Sequence, residues 1–231
     1  GTLYAVYHML TDVLGFQFLA NDETILPPLG CPSYLPHYDV WQSPAFEYRD
    51  SNQFQPSTQH NWSTRVAYNG DNEHVDVAHG GRVQYFSPPG FVHTSYHLLA
   101  YPDAPPADNT PPAALFQVHP EWFWPRGPSG AKTYGQLCWS NTSLVAFVTA
   151  QARKILQTQD AATILSISQN DNGQQCEDPA EQAVNQREGS PIGALLNSVN
   201  MIAATLEPEF PHVAFDTLAY QWTRPAPTSG L

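Results

Sequence analysis

Apolar residues recur at helical spacing in three segments of the chain. In residues 2–15, Leu3, Val6, Tyr7, Leu10 and Leu14 share one stripe, and Gly15 stands where a helix would stop. Residues 143–157 carry Leu144, Phe147, Val148, Ala152, Ile155 and Leu156 on one face. Residues 191–207 keep Ile192, Leu195, Leu196, Val199, Ile202, Ala203 and Leu206 in register, with Ser190 as the expected cap and Pro191 in the first turn. Two short runs, 162–168 and 213–220, are apolar enough to be buried strands. Helix 143–157, strand 162–168, helix 191–207 and strand 213–220 alternate, which predicts an α/β fold with parallel strands.

Elsewhere the pattern is weaker. Phe46-Glu-Tyr48 is a short strand candidate leading to Arg49. Val83-Gln-Tyr-Phe86 and Phe91-Val-His-Thr94 bracket the turn Ser87-Pro-Pro-Gly90. Residues 26–36 and 102–112 are proline-rich and suit neither helix nor ladder. Residues 51–81 are polar and read as one long loop, a kind of segment that is usually functional or mobile. Four or five strands fall short of the eight that close a barrel.

A chain of 231 residues with 42% hydrophobic and 13% charged residues can bury a large core. Nine Lys plus Arg against 21 Asp plus Glu give a net charge of −12, and no basic stripe is visible, so nucleic acid is not an expected partner. No apolar run approaches the roughly 20 residues that span a bilayer. The N-terminus lacks a basic-then-apolar targeting pattern and starts as though cut from something longer, so it bears nothing on secretion. Low lysine with many prolines and aromatics suits an extracellular carbohydrate-active protein. Asn61-Trp-Ser63 and Asn141-Thr-Ser143 fit the N-glycosylation acceptor pattern.

Cys31, Cys138 and Cys176 make no CxxC pair; one bridge plus a free thiol, or pairing outside this segment, are both open. Cys138, between Leu137 and Trp139, is a poor nucleophile candidate. There is no phosphate-binding glycine motif and no Gly-x-Ser-x-Gly elbow.

The richest candidate chemistry is Ser166-Ile-Ser-Gln-Asn-Asp-Asn172, a polar tip directly after the apolar run Ala162-Thr-Ile-Leu165. In parallel α/β folds chemistry collects at the carboxyl ends of strands. Asp171 is therefore the expected catalytic residue, with Asn170 and Asn172 orienting it or a ligand; the plain alternative is an Asx turn. Acid/base chemistry by paired carboxyl groups would need a second one, for which Glu47, Asp50, Glu177, Asp178 and Asp216 are all open. His93 suits a hydrogen bond to substrate. His93 and His97 have metal-like spacing but lack the glutamate of a zinc-protease motif. A metal-dependent reading would need three of His79, His93, His97, His119 and Asp171 to converge; the expectation is no metal and no cofactor. Trp122, Phe123, Trp124, Trp139, Tyr220 and Trp222 offer flat faces, and Tyr220 with Gln221, at a strand end, are the most exposed to ligand.

His119-Pro-Glu-Trp-Phe123, Gly135-Gln-Leu-Cys-Trp-Ser-Asn141, Ser166-Ile-Ser-Gln-Asn-Asp171, Glu188-Gly-Ser-Pro191 and Asp216-Thr-Leu-Ala-Tyr-Gln221 occur in an order and spacing that resembles the family known as domain of unknown function 4838. The resemblance implies a (β/α)8 TIM-barrel-like fold akin to hexosaminidases and α-glucuronidases, incomplete in this chain, and hence a glycoside hydrolase. It implies a division into 1–25 (last helix of a preceding small α/β domain), 26–43 (connector) and 44–231 (N-terminal part of the barrel). Pro44-Ala-Phe-Glu-Tyr-Arg49 resembles a first barrel strand, and Arg49 would then bind sugar, its planar fork suiting vicinal hydroxyls or a carboxylate.

Two departures stand out. Relatives carry a cysteine cluster after the Asn-Asp pair, where only Cys176 remains, and the chain stops near a fifth strand. The resulting expectation is a secreted glycoside hydrolase acting on a glycan at Asp171, with Arg49, His93, Asn170, Tyr220 and Gln221 binding substrate. Association with the rest of the barrel or other chains is also expected. The alternative is a non-catalytic carbohydrate-binding or structural glycoprotein that retains the barrel.

Overall fold

The longest helices form where apolar side chains can be buried along a single stripe. The computed structural model describes residues 1–28, 30, 37, 39–50, 59–70, 75–81, 84–105, 111–124 and 135–229. The chain divides into two compact units, residues 1–84 and 85–231.

In the first unit, α1 (Thr2–His8) runs into a π-helical turn, Met9–Val13. Gly15, at φ +77°, ends it in the left-handed region, as the sequence predicts. A two-residue antiparallel hairpin follows, β1 (Gln17–Phe18) with β2 (Thr24–Ile25). The stretch expected to be one long loop contains α2 (His60–Arg65) and a 3₁₀ turn, Val77–His79, while 51–58 and 71–74 lie outside the described residues. Trp62 and Val75, both buried, supply the apolar anchors that a mostly polar sequence hides. Most of the proline-rich stretch 26–36 also lies outside them.

The expected strand at 46–48 is not formed. Its backbone is paired mainly by one side chain: Asn69 Oδ1 accepts from the Arg49 amide (2.9 Å) and Asn69 Nδ2 donates to the Glu47 carbonyl (2.6 Å). An amide side chain satisfies two backbone groups but cannot propagate a ladder.

The second unit contains α3 (Ser95–Ala100), α4 (Ala113–Val118), a 3₁₀ turn at Pro120–Trp122, and an antiparallel pair of β3 (Phe123–Trp124) and β4 (Gln136–Leu137). It continues through α5 (Thr142–Leu156), β5 (Ile164–Ser166), α6 (Pro179–Glu188), α7 (Gly193–Leu206) and β6 (Ala214–Asp216). β5 and β6 pair in parallel, Ile164 opposite Ala214 and Ser166 opposite Asp216. Tyr85 adds a parallel bridge to Ile164 on the other side. The fold is thus mixed α/β with the predicted parallel pair, and no closed barrel is present among the described residues.

Asn141 caps α5, its Oδ1 accepting from Ser143 N (3.0 Å) and Leu144 N (3.2 Å). The buried faces of α5 and α7 meet β5 in one core that includes Leu144, Val148, Ile155, Leu165, Leu195 and Ile202. α7 begins at Gly193 rather than Pro191, and Ser190 is not its side-chain cap. The Ser190 hydroxyl instead donates to the Pro225 carbonyl, while Asn185 Oδ1 accepts from Ala194 N at 2.9 Å. α6 has no strong apolar stripe. Asp178 caps it, Pro179 opens it, and Gly189 at φ +68° closes it.

Candidate functional site

The tip of β5 continues buried through Asn170, then turns outward at Asp171. Two amides cause the turn. Asn170 Nδ2 and Asn172 Nδ2 both donate to the Gly135 carbonyl, at 2.7 and 3.2 Å. Gln136 reciprocates: its Oε1 accepts from Asn170 N (3.0 Å) and its Nε2 donates to Asn170 O (2.8 Å) and Asn172 Oδ1 (3.0 Å). Asn170 and Asn172 are therefore spent on holding the loop against β4. Asp171, between them, is left 54% exposed with its carboxylate available.

Three other residues gather around that carboxylate. Gln221 Nε2 donates to Asp171 Oδ1 at 3.0 Å, and His93 Nε2 lies 4.0 Å from the same oxygen. The Tyr220 ring sits 5.7 Å from the His93 ring and is 43% exposed. His93 Nδ1 is 3.0 Å from the Gln169 carbonyl. A carbonyl can only accept, so the proton is on Nδ1, and Nε2 presents a lone pair, or a second proton, toward Asp171.

The backbone here is unusual. His93 and Gln221 have φ of +54° and +52°, the left-handed region that side-chain-bearing residues adopt at a cost of about 1–2 kcal/mol. Strain of this kind persists only where surroundings over-determine it. Thr94 and Ser95 do so beside His93: Thr94 Oγ1 donates to Ser166 O (2.9 Å) and accepts from Ser168 N (2.9 Å), and Ser95 Oγ donates to Ser168 O (2.7 Å). Gln169 Nε2 donates to Tyr220 O (3.1 Å) and Thr223 Oγ1 (2.9 Å), fixing the other wall.

Gln136, Gln169, Thr94 and Thr223 were not singled out in the sequence. Gln169 lies inside the polar run and was legible there. The others sit in segments whose partner strand no sequence pattern names.

The remaining expected residues have contacts of their own. Arg49 belongs to the first unit, where its Nε donates to Ala67 O (2.8 Å) and its Nη1 to Phe46 O (2.7 Å). Its guanidinium thus braces its own loop. Among the described residues, His79, His93, His97, His119 and Asp171 do not converge on one point. His119 stacks on Trp122, and burial lowers the His97 pKa.

Cys138 and Cys176 form a disulfide with Cα atoms 5.3 Å apart, which ties the loop beyond Asp171 to the end of β4. Cys31 lies outside the described residues. Asn61 is exposed on α2, and Asn141 serves as the α5 cap.

Burial raises the pKa of two carboxyl groups near these strands. Burial raises the Asp216 pKa against the opposing hydrogen bonds of Tyr85 (2.5 Å) and Ser166. Asp216 Oδ1, Thr217 Oγ1, Gln169 Oε1 and Trp222 Nε1 are buried atoms with no hydrogen-bond partner among the described residues. Glu181, 4% exposed, has its pKa pushed up to about 7 by burial, although its Oε2 accepts from Ser140 N at 2.6 Å.

A family model described as "Domain of unknown function (DUF4838)" matches residues 18–230, and the chain belongs to that family. No curated protein matches significantly. Among solved structures, a GH36 α-galactosidase, AgaB from Geobacillus stearothermophilus, is 14% identical with a TM-score of 0.29. That match covers 45% of this chain and 14% of the galactosidase chain. No helix is long and apolar enough to cross a membrane among the described residues.

Proposed function

We propose that the second unit is part of an extracellular glycoside hydrolase-like barrel whose site is built from Asp171, His93, Tyr220 and Gln221 at the tips of β5 and β6. The observation that carries this reading is the exposed Asp171 carboxylate, held at 3.0 Å by Gln221 and flanked by His93, with both flanking residues in left-handed backbone. Carboxylate, imidazole and amide supply the hydrogen-bonding groups that sugar hydroxyls use, and Tyr220 offers an aromatic face for the C–H side of a ring. Asp171 acts as the acid or the polarising carboxylate at the glycosidic oxygen. A disulfide persists in oxidising compartments, which supports secretion.

The test is hydrolysis of a panel of aryl glycosides and oligosaccharides by the full-length protein. On any substrate that wild type cleaves, Asp171→Asn should lower kcat/KM by about 10²–10⁴-fold. Full activity in that variant contradicts the assignment.

A second reading, a glycan-binding site without catalysis, is favoured by the occupations of the other carboxyl groups. Asp178 caps α6, Asp216 accepts from Tyr85, and Glu181 accepts from Ser140. Binding of oligosaccharide without turnover in wild type would select this reading.

A further inference from the structure

His60, Asp76 and His79 lie in the first unit and serve none of the chemistry above. We propose that they form a binding site for a zinc-class divalent cation. Two imidazoles and a carboxylate are the donor set that borderline first-row cations prefer. Their ligand atoms all fall within 4.8 Å of one another. His79 Nδ1 is 2.6 Å from Asp76 Oδ1, and His60 Nδ1 is 2.9 Å from Asp76 Oδ2, so each carboxylate oxygen faces one ring nitrogen.

Two contacts compete for His60 Nδ1. Asp76 N–H points at His60 Nδ1 at 3.2 Å, which requires a lone pair on that nitrogen. The carboxylate oxygen at 2.9 Å requires a proton there instead. A cation bound by this nitrogen and the carboxylate would meet the second demand without a proton, taking the lone pair that otherwise accepts from the Asp76 N–H.

The frame is built independently of the ligand atoms. Thr64, 1% exposed, donates from one hydroxyl to the carbonyls of both histidines, His60 at 2.9 Å and His79 at 2.8 Å. The turn that brings His79 to Asp76 closes on Gly80 at φ +105° and Gly81. A side chain at Gly80 would meet the Tyr4 ring, and one at Gly81 would strike the Val75 carbonyl. Asp76 also caps this turn through His79 N at 2.8 Å, and the carboxylate retains lone pairs for a metal.

The experiment is calorimetric titration of the chelator-treated full chain with Zn²⁺, Co²⁺, Mg²⁺ and Ca²⁺. One equivalent of Zn²⁺ should bind at least about 100-fold more tightly than Mg²⁺ or Ca²⁺, which prefer all-oxygen sites. His60→Gln, His79→Gln and Asp76→Asn should each weaken Zn²⁺ by at least about tenfold. No stoichiometric Zn²⁺ binding in wild type, or unchanged affinity in folded variants, overturns the proposal. Should the variants fail to fold, carbethoxylation of the wild type settles it. Zn²⁺ must protect His60 and His79 while His93 and His119 react as before, and equal labelling of all four overturns the site.

Discussion

Glu181 offers a test of how the loop beyond Asp171 is anchored, because its cost can be worked from the structure. The side chain sits in the first turn of α6 and reaches back to Ser140, two residues from the disulfide at Cys138. Burial raises its pKa from 4.5 to about 7, outweighing the Ser140 amide and helped by the nearby charge of Asp178. In the folded protein the acid therefore keeps its proton where the unfolded chain has released it. Folding takes up a proton between pH 4.5 and about 7, so stability is highest below that window and falls as pH rises through it. The gap between 4.5 and about 7, at 1.36 kcal/mol per pH unit, comes to about 3 kcal/mol.

Glu181→Gln keeps an acceptor for Ser140 and removes the titration. Urea unfolding of both proteins at intervals from pH 4.5 to 8 isolates the effect, since every other group cancels in the difference. The variant should gain on wild type by about 3 kcal/mol across the window and then level off. Parallel stability curves would refute the burial argument.

Two further outcomes follow from neighbouring features. The disulfide closes a 38-residue separation, so reduction should destabilise the second unit by about 4 kcal/mol on the chain-entropy estimate, read as a lower urea midpoint in reductant. Gln221 occupies left-handed backbone with only an exposed hydrogen bond in return, so Gln221→Gly should be more stable than Gln221→Ala by about 1 kcal/mol. Both should bind glycan more weakly, and equal stability of the two would remove the case for strain at that position.

Much of the second unit was legible in its sequence. The apolar stripes of 143–157 and 191–207 become the buried faces of α5 and α7, and the runs around Leu165 and Phe215 become a parallel pair, because burial itself imposes those periods. The hidden helix, α6, buries almost no apolar surface, so period alone missed it. Its signals were in the caps, Asp178, Pro179 and Gly189. Ser190 looked like a cap but found a stronger use at Pro225, which a local rule cannot foresee. Likewise the motif around Asp171 was visible, whereas the division of labour within it was not. Asn170 and Asn172 face Gly135 and Gln136, more than thirty positions away, and only tertiary pairing assigns them to scaffold. Phe46 to Tyr48 has strand composition, yet its partner is a side chain, Asn69.

The most direct measurement is an amide NMR titration of the ¹⁵N-labelled full-length protein with an oligosaccharide panel, repeated on Asp171→Asn. Saturable shifts centred on His93, Asp171, Tyr220 and Gln221, lost or weakened in the variant, are expected for at least one glycan. Saturable binding that perturbs a different surface and leaves these four residues unmoved would contradict the site.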